Sequence, residues 1–252
     1  MTQDAAQVPR LRLGLLLWAA GMLGVIVLTF TVLPQLLTKV VLPAPLWVIS
    51  LASLAQSTVL LALAVWGGVS LAPALGLRAP AFEAAVTARA LGPALRPSLI
   101  PGLVAGALGG ILLFIIGRYS PAALVNAQEQ FNVPLFARVL YGGITEELLL
   151  RWGLMTVLVW LAWRFMQRRQ GAPRTVYVWL AIALSALLFG AGHLPAAATL
   201  VGELTGGVVA FVVGANAMFG LLFGYLFWQY GLESAMIAHA LAHVVSYSAS
   251  SL

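Results

Sequence analysis

The segment Ile144-Thr145-Glu146-Glu147-Leu148-Leu149-Leu150-Arg151 sets two carboxylates and a guanidinium inside an apolar run. Further along, His193 closes the run Phe189-Gly190-Ala191-Gly192-His193, and His239 and His243 stand four apart in the last apolar stretch. The chain has 3 histidines, so these are all of them, and none falls in a polar loop. Carboxylates and imidazoles are the side chains of general acid–base catalysis, of oxyanion stabilisation by a ring N–H, and of metal ligation. Cysteine is absent, which excludes disulfides, thiol nucleophiles and thiolate metal sites.

Helical spacing separates the two acids. Glu147 and Arg151 are four apart, acid first, so they share a face and pair. Glu146 points about 100° away and is left for another role. Both acids follow Gly142-Gly143 and Thr145, a residue suited to capping. That puts them in the first turn of a helix, where the positive end of the dipole favours negative charge. The competing account makes all three charges interfacial anchors. A lone histidine at the end of a span, as at His193, is likewise more often interfacial than catalytic. His239 and His243 project from one helix face, which suits a helix–helix hydrogen bond, a shared metal or a shared substrate oxygen.

The elements that carry these residues follow from composition. The 252 residues are 62% hydrophobic and 8% charged, where a soluble domain carries about 25% charged residues. The fold class is therefore all-α, a polytopic transmembrane helix bundle of about seven spans. The candidate spans are Leu13–Leu33, Leu46–Val69, Leu99–Ile116, Ile144–Phe165, Val176–Gly192, Val208–Trp228 and Leu232–Ser248. The first is longer than the apolar core of about 7–15 residues in a signal peptide and reads as retained. Arg78–Arg96 reads as an interfacial segment, and Ser120–Arg138 as an external loop or short surface helix. Residues 1–98, the N-terminal spans and interfacial segment, and 99–252, the core with the polar residues, belong to one bundle. Small residues four apart, at Gly102, Gly106 and Gly110, at Gly206, Ala210 and Gly214, and at Gly220 and Gly224, mark close helix packing.

The net charge is +6, yet basic residues of a membrane protein gather in cytoplasmic loops, so no nucleic-acid partner follows. Seven spans with a cytoplasmic N-terminus put Arg10, Arg12, Arg78, Arg89, Arg96, Arg164, Arg168, Arg169 and Arg174 inside and only Lys39, Arg118 and Arg138 outside. The expected setting is a bacterial plasma membrane, with membrane lipid as a partner. The same topology brings Glu146, His193, His239 and His243 to similar depth, toward the outer face. Independent packing residues have no reason to agree in depth, and ionisable groups within a membrane face a bundle interior or a watery cavity.

At these residues the sequence resembles the CAAX-endopeptidase and bacteriocin-processing family of intramembrane proteases, abbreviated CPBP or Abi. Its motif Glu-Glu-x-x-x-Arg is matched by Glu146, Glu147 and Arg151, and Phe-x-x-x-His by Phe189 and His193. A third motif has His followed four residues later by Asn or Asp. Here His239 fits and His243 departs from it. The resemblance runs from about Leu135 onward. It implies an endopeptidase in which Glu146 and His193 activate water, His239 with the residue at 243 stabilises the oxyanion, and Glu147, Arg151 and Phe189 support the site.

The family is often labelled metalloprotease, and a glutamate-based route without metal is the competing view. With His at 243, the set Glu146, His193, His239 and His243 offers ligands that Zn²⁺ accepts. The metal-free route needs no cofactor, since a ring N–H supplies the oxyanion donor. Expected substrates are prenyl-CAAX-like tails, bacteriocins or other membrane peptides or proteins. Prenylated tails are cytosolic, however, and the charge count puts the site toward the outer face. Two rivals stand beside the protease: a non-catalytic scaffold or bacteriocin-immunity protein, and a small proton-coupled transporter. Against the transporter stands the absence of paired, Gly/Pro-broken halves.

Overall fold

In hydrocarbon a backbone amide finds its partner only within its own helix or in a closed barrel, so a chain this apolar folds as helices. The computed structural model describes residues 8–38, 40–131 and 133–251, with the backbone alone at 128–130. Lys39, counted above as an outside charge, lies outside the described residues. Among the described residues the elements are α1 (Arg10–Leu37), α2 (Leu46–Leu75), α3 (Pro80–Val86), α4 (Leu91–Gly117), α5 (Ala122–Gln130), α6 (Leu135–Met166), α7 (Thr175–Gly192), α8 (Leu194–Val201), α9 (Gly206–Tyr230) and α10 (Leu232–Ser250), and no strand occurs.

Six helices are long and apolar enough to cross a membrane: α1, α2, α4, α6, α7 continued through α8, and α9. The seventh expected span, α10, forms a helix of 19 residues but is not among those six. Glu233, His239, His243 and its serines make it too polar, and the bundle accommodates it by enclosing it. Leu232 to Met236, Ala238, His239 and Ala242 are all buried. A polar helix shielded by apolar ones is how ionisable groups persist in a membrane.

Two helix starts differ from expectation. The third span begins at Leu91 instead of Leu99, so Arg96 belongs to it, and the interfacial segment shrinks to α3. The span carrying the acids begins at Leu135, behind Pro134, not at Ile144. Thr145 therefore caps nothing. Its hydroxyl donates to the Gly21 carbonyl of α1 at 2.7 Å. Glu146 and Glu147 lie well inside the helix, away from any dipole end. Through this region α6 is wound in wide i→i+5 turns, over Arg138–Glu146 and again over Leu148–Met155. Such turns recur at functional sites because they re-aim side chains.

Small residues set the distances between helices. A Cβ on Gly21 would fall 2.8 Å from Leu148 of α6, and one on Gly153 of α6 would fall 2.6 Å from Ala64 of α2. Gly102, Gly106 and Gly110 face Ile237, Leu241 and Val245 of α10 in turn, so α4 and α10 run side by side. Gly220 and Gly224 of α9 meet Ala186 and Ile182 of α7. Gly206 and Gly214 do not pack: among the described residues nothing lies within 4 Å of a Cβ built on either.

Gly106→Ile should push α4 off α10, because the new side chain meets Leu241 Cβ at 2.8 Å and the Ala238 carbonyl at 2.9 Å. The expected loss is about 1–3 kcal/mol from overpacking, read as a lower melting temperature in detergent. Gly214→Ala, facing open space, should melt like the wild type.

Candidate active site

Two interhelical distances define the site. Glu146 of α6 lies with Oε1 at 4.0 Å from His193 Nε2 and with Oε2 at 4.0 Å from His239 Nε2. One carboxylate therefore stands between two imidazoles, one oxygen facing each. A direct hydrogen bond would be about 2.7–3.2 Å, so both gaps have the length of a contact bridged by water.

Each ring is aimed by its other nitrogen. His193 occupies the break between α7 and α8, which Pro195 enforces by withholding an amide from the helical ladder. Its Nδ1 lies 2.9 Å from the Phe189 carbonyl, which can only accept, so Nδ1 carries a hydrogen, and in the neutral ring Nε2 presents a lone pair to Glu146. His239 Nδ1 lies 2.7 Å from Glu147 Oε1. With Glu147 as a carboxylate, Nδ1 is again the donor and Nε2 again faces Glu146.

Glu147 thus serves two partners. Its Oε1 also lies 3.2 Å from Arg151 Nη1, an ion pair whose angle is not that of a hydrogen bond. Both side chains are buried, Glu147 at 0% and Arg151 at 1% exposure. The Arg151 guanidinium lies over the Phe189 ring at 4.8 Å and the Phe223 ring at 5.5 Å, and its Nη2 donates to the Gly220 carbonyl at 3.4 Å. Cation–π contacts of this kind strengthen when desolvated. Phe189 also meets His193 edge-on at 4.9 Å, and Phe223 stacks on His239 at 4.5 Å. The two phenylalanines are therefore the walls that hold the guanidinium and both rings in register.

His243 is brought near but not into this contact set. Its ring lies 4.9 Å from that of His239, yet among the described residues it has no carboxylate within 4.0 Å, and its buried Nδ1 has no partner. It lines a cavity of about 40 Å³ together with Phe189, Asn216, Phe219, Phe223 and His239, space for a water molecule. Asn216 was not singled out by sequence spacing. Its Nδ2 donates to the Val212 carbonyl at 2.8 Å, which uses one of two amide hydrogens and leaves the other for the cavity. The one available signal was its amide placed inside an apolar span.

Gly142 gives the histidines their room. A Cβ there would stand 2.9 Å from His243 Nε2 and 3.3 Å from His239 Nε2. Gly142→Val should displace both rings and lower any turnover by an order of magnitude or more, as small misplacements of positioned groups do, alongside an overpacking loss of about 1–3 kcal/mol. Equal turnover in glycine and valine forms would show that neither ring is used.

The donor set also bears on a metal. Zn²⁺ holds N and O ligands at about 2.0–2.2 Å, so tetrahedral ligands approach one another to about 3.3 Å. The carboxylate and the two Nε2 atoms are wider apart than that. Among the described residues no three His, Asp or Glu side chains are arranged to hold a metal ion. The side chains as placed do not fit one.

These features define a polytopic helical membrane protein with an internal acid–imidazole site. Residues 128–245 match the family model described as type II CAAX prenyl endopeptidase Rce1-like. That segment, a little under half of the chain's length, is similar to this family of CAAX-type membrane proteases. The match spans Glu146, Glu147, Arg151, Phe189, His193, His239 and His243. No curated protein and no solved structure matches the chain.

Proposed function

We propose that the protein is an intramembrane endopeptidase in which Glu146 and His193 activate the attacking water. What carries this reading is the 4.0 Å gap between Glu146 Oε1 and His193 Nε2, two acceptors facing each other. A water that donates one hydrogen to each satisfies both and turns its own lone pairs outward. Attack on a peptide carbonyl releases a proton to this pair, and the same proton is returned to the leaving amine. Placement of Glu146 and His239 within the bundle, at 15% and 7% exposure, strengthens both steps, since fixed groups act more strongly where bulk water is excluded.

His239 and His243 stabilise the oxyanion. Neutral His239 presents Nε2 as an acceptor, so it donates only once it holds a second proton, with Glu147 accepting from Nδ1 in that state. His243 carries no such restriction, because its Nδ1 has no partner among the described residues and either nitrogen can hold the hydrogen. Histidine at this position therefore offers a donor, as the Asn of the family motif would. Glu147 and Arg151 position His239 and do not touch substrate. This route uses no metal.

The substrates are peptides or membrane-protein segments, and the charge distribution favours a site reached from the outer half of the membrane. The test compares membrane proteomes of cells carrying the wild type and Glu146→Ala. New protein termini that appear only with the wild type are the expected result. Identical termini in both would remove the protease reading and leave the scaffold.

A further inference from the structure

The bundle has a second concave feature, at the end away from His193. An open cleft of about 450 Å³ lies between α3 and the start of α4, walled by Arg78, Pro80, Ala84, Arg89, Pro93 and Pro97. Two guanidiniums reach it, each held by one edge. Arg78 donates from Nε and Nη2 to Glu83 Oε2 at 3.2 and 2.7 Å, which leaves Nη1 without a partner among the described residues. The chain then turns at Ala88, whose φ is 52°, and Arg89 Nε donates to Thr87 Oγ1 at 2.8 Å. Both terminal nitrogens of Arg89 remain for a ligand. The first turn of α4 has no side-chain cap, so its positive end also opens here.

The rest of the wall is apolar and continues along the span. From Pro93 and Pro97 the same face of α4 runs through Ile100, Val104 and Leu108, exposed at 66%, 54% and 64%. Guanidiniums at the mouth with an apolar stripe leading into the membrane match a molecule with an anionic head and a hydrocarbon tail. Arg–phosphate contacts are charge-assisted and geometrically selective. The depth also agrees. α2 ends at Leu75 and α4 begins at Leu91, so both guanidiniums stand at the membrane boundary, where headgroup phosphates lie.

We infer that this cleft binds a phosphate group, the headgroup phosphate of an anionic phospholipid, with the acyl chains along α4. The site adjoins the helix that carries His239. The Leu232 amide donates to the Arg78 carbonyl at 3.0 Å, and Glu233 Oε1 accepts from the Ala81 and Phe82 amides at 2.7 and 3.0 Å. A headgroup bound here braces α3 and the first turn of α10 together.

The test is lipid retention by the full-length purified protein. Delipidated protein is titrated with phosphatidylglycerol or phosphatidylcholine, and bound lipid is counted by native mass spectrometry. Wild type should hold one phosphatidylglycerol in preference to phosphatidylcholine. Arg89→Glu should weaken that binding by about tenfold or more, the loss expected for hydrogen bonds to a charged group. Arg174→Ala, an exposed arginine at the same end of the bundle but off the cleft, should bind like the wild type. Glycerol phosphate as competitor separates the sources: displacement would assign the cleft to soluble phosphates, and no displacement would assign it to lipid. Unchanged binding in Arg89→Glu, or equal loss in Arg174→Ala, would reduce the effect to surface charge and overturn the site.

Discussion

Glu146→Gln is expected to lower peptide cleavage by about 10²–10⁴-fold, the span over which a positioned general base acts. The substitution keeps size and polarity and removes only the capacity to take a proton. Among the described residues the Glu146 side chain forms no hydrogen bond that holds the fold. Its side chain is 15% exposed, and each oxygen faces a histidine nitrogen at 4.0 Å. Melting temperature should therefore match the wild type, which separates loss of chemistry from loss of structure. The measurement is turnover of a membrane peptide, identified from the proteome comparison, by protein reconstituted in lipid. His193→Gln should cost a similar factor. If the two residues share one water as proposed, the double variant should be little worse than either single one, since groups that act as a unit do not add. Turnover by Glu146→Gln within about threefold of wild type would contradict water activation by this carboxylate.

The contrast between what spacing reveals and what it conceals runs through the same residues. Glu146, Glu147, Arg151, His193 and His239 stand out because a chain with 8% charged residues has few places for chemistry. The pairing of Glu147 with Arg151 is legible because it lies within one helix. The bond from Glu147 to His239 is not, since it joins residues 92 apart and depends on how α6 and α10 cross. The start of α6 misleads for a definite reason. Gly142, Gly143 and Thr145 have the composition of a helix entry, but small residues are common within membrane helices, where they admit a neighbouring backbone. Gly143 faces Ala240 of α10 at 2.8 Å from its would-be Cβ, and Thr145 bonds α1. Those residues record contacts, not an end. For α10 the difficulty is opposite: its polarity argues against a span, and only its enclosure explains why it lies inside the bundle.

Arg151→Ala should destabilise the protein by about 3–5 kcal/mol, the cost of leaving a buried charge without its partner. Glu147 is wholly enclosed, and without the guanidinium its remaining polar contact among the described residues is His239 Nδ1 at 2.7 Å. The loss includes more than charge, because the guanidinium also fills the space between Phe189 and Phe223. Arg151→Lys should recover only part of it. An ammonium is a point charge that does not stack on two rings and reach both Glu147 and the Gly220 carbonyl. The informative variant changes both partners. Glu147→Gln with Arg151→Met removes both charges and keeps most of the volume, so stability should return toward wild type. Turnover should stay low all the same, because His239 loses the carboxylate that orients Nδ1 and supports the ring when it takes a second proton. Thermal unfolding in detergent and turnover in lipid, read on the same four proteins, distinguish the cases. If the double variant is both stable and fully active, the pair holds the helix alone, and His239 needs no carboxylate behind it.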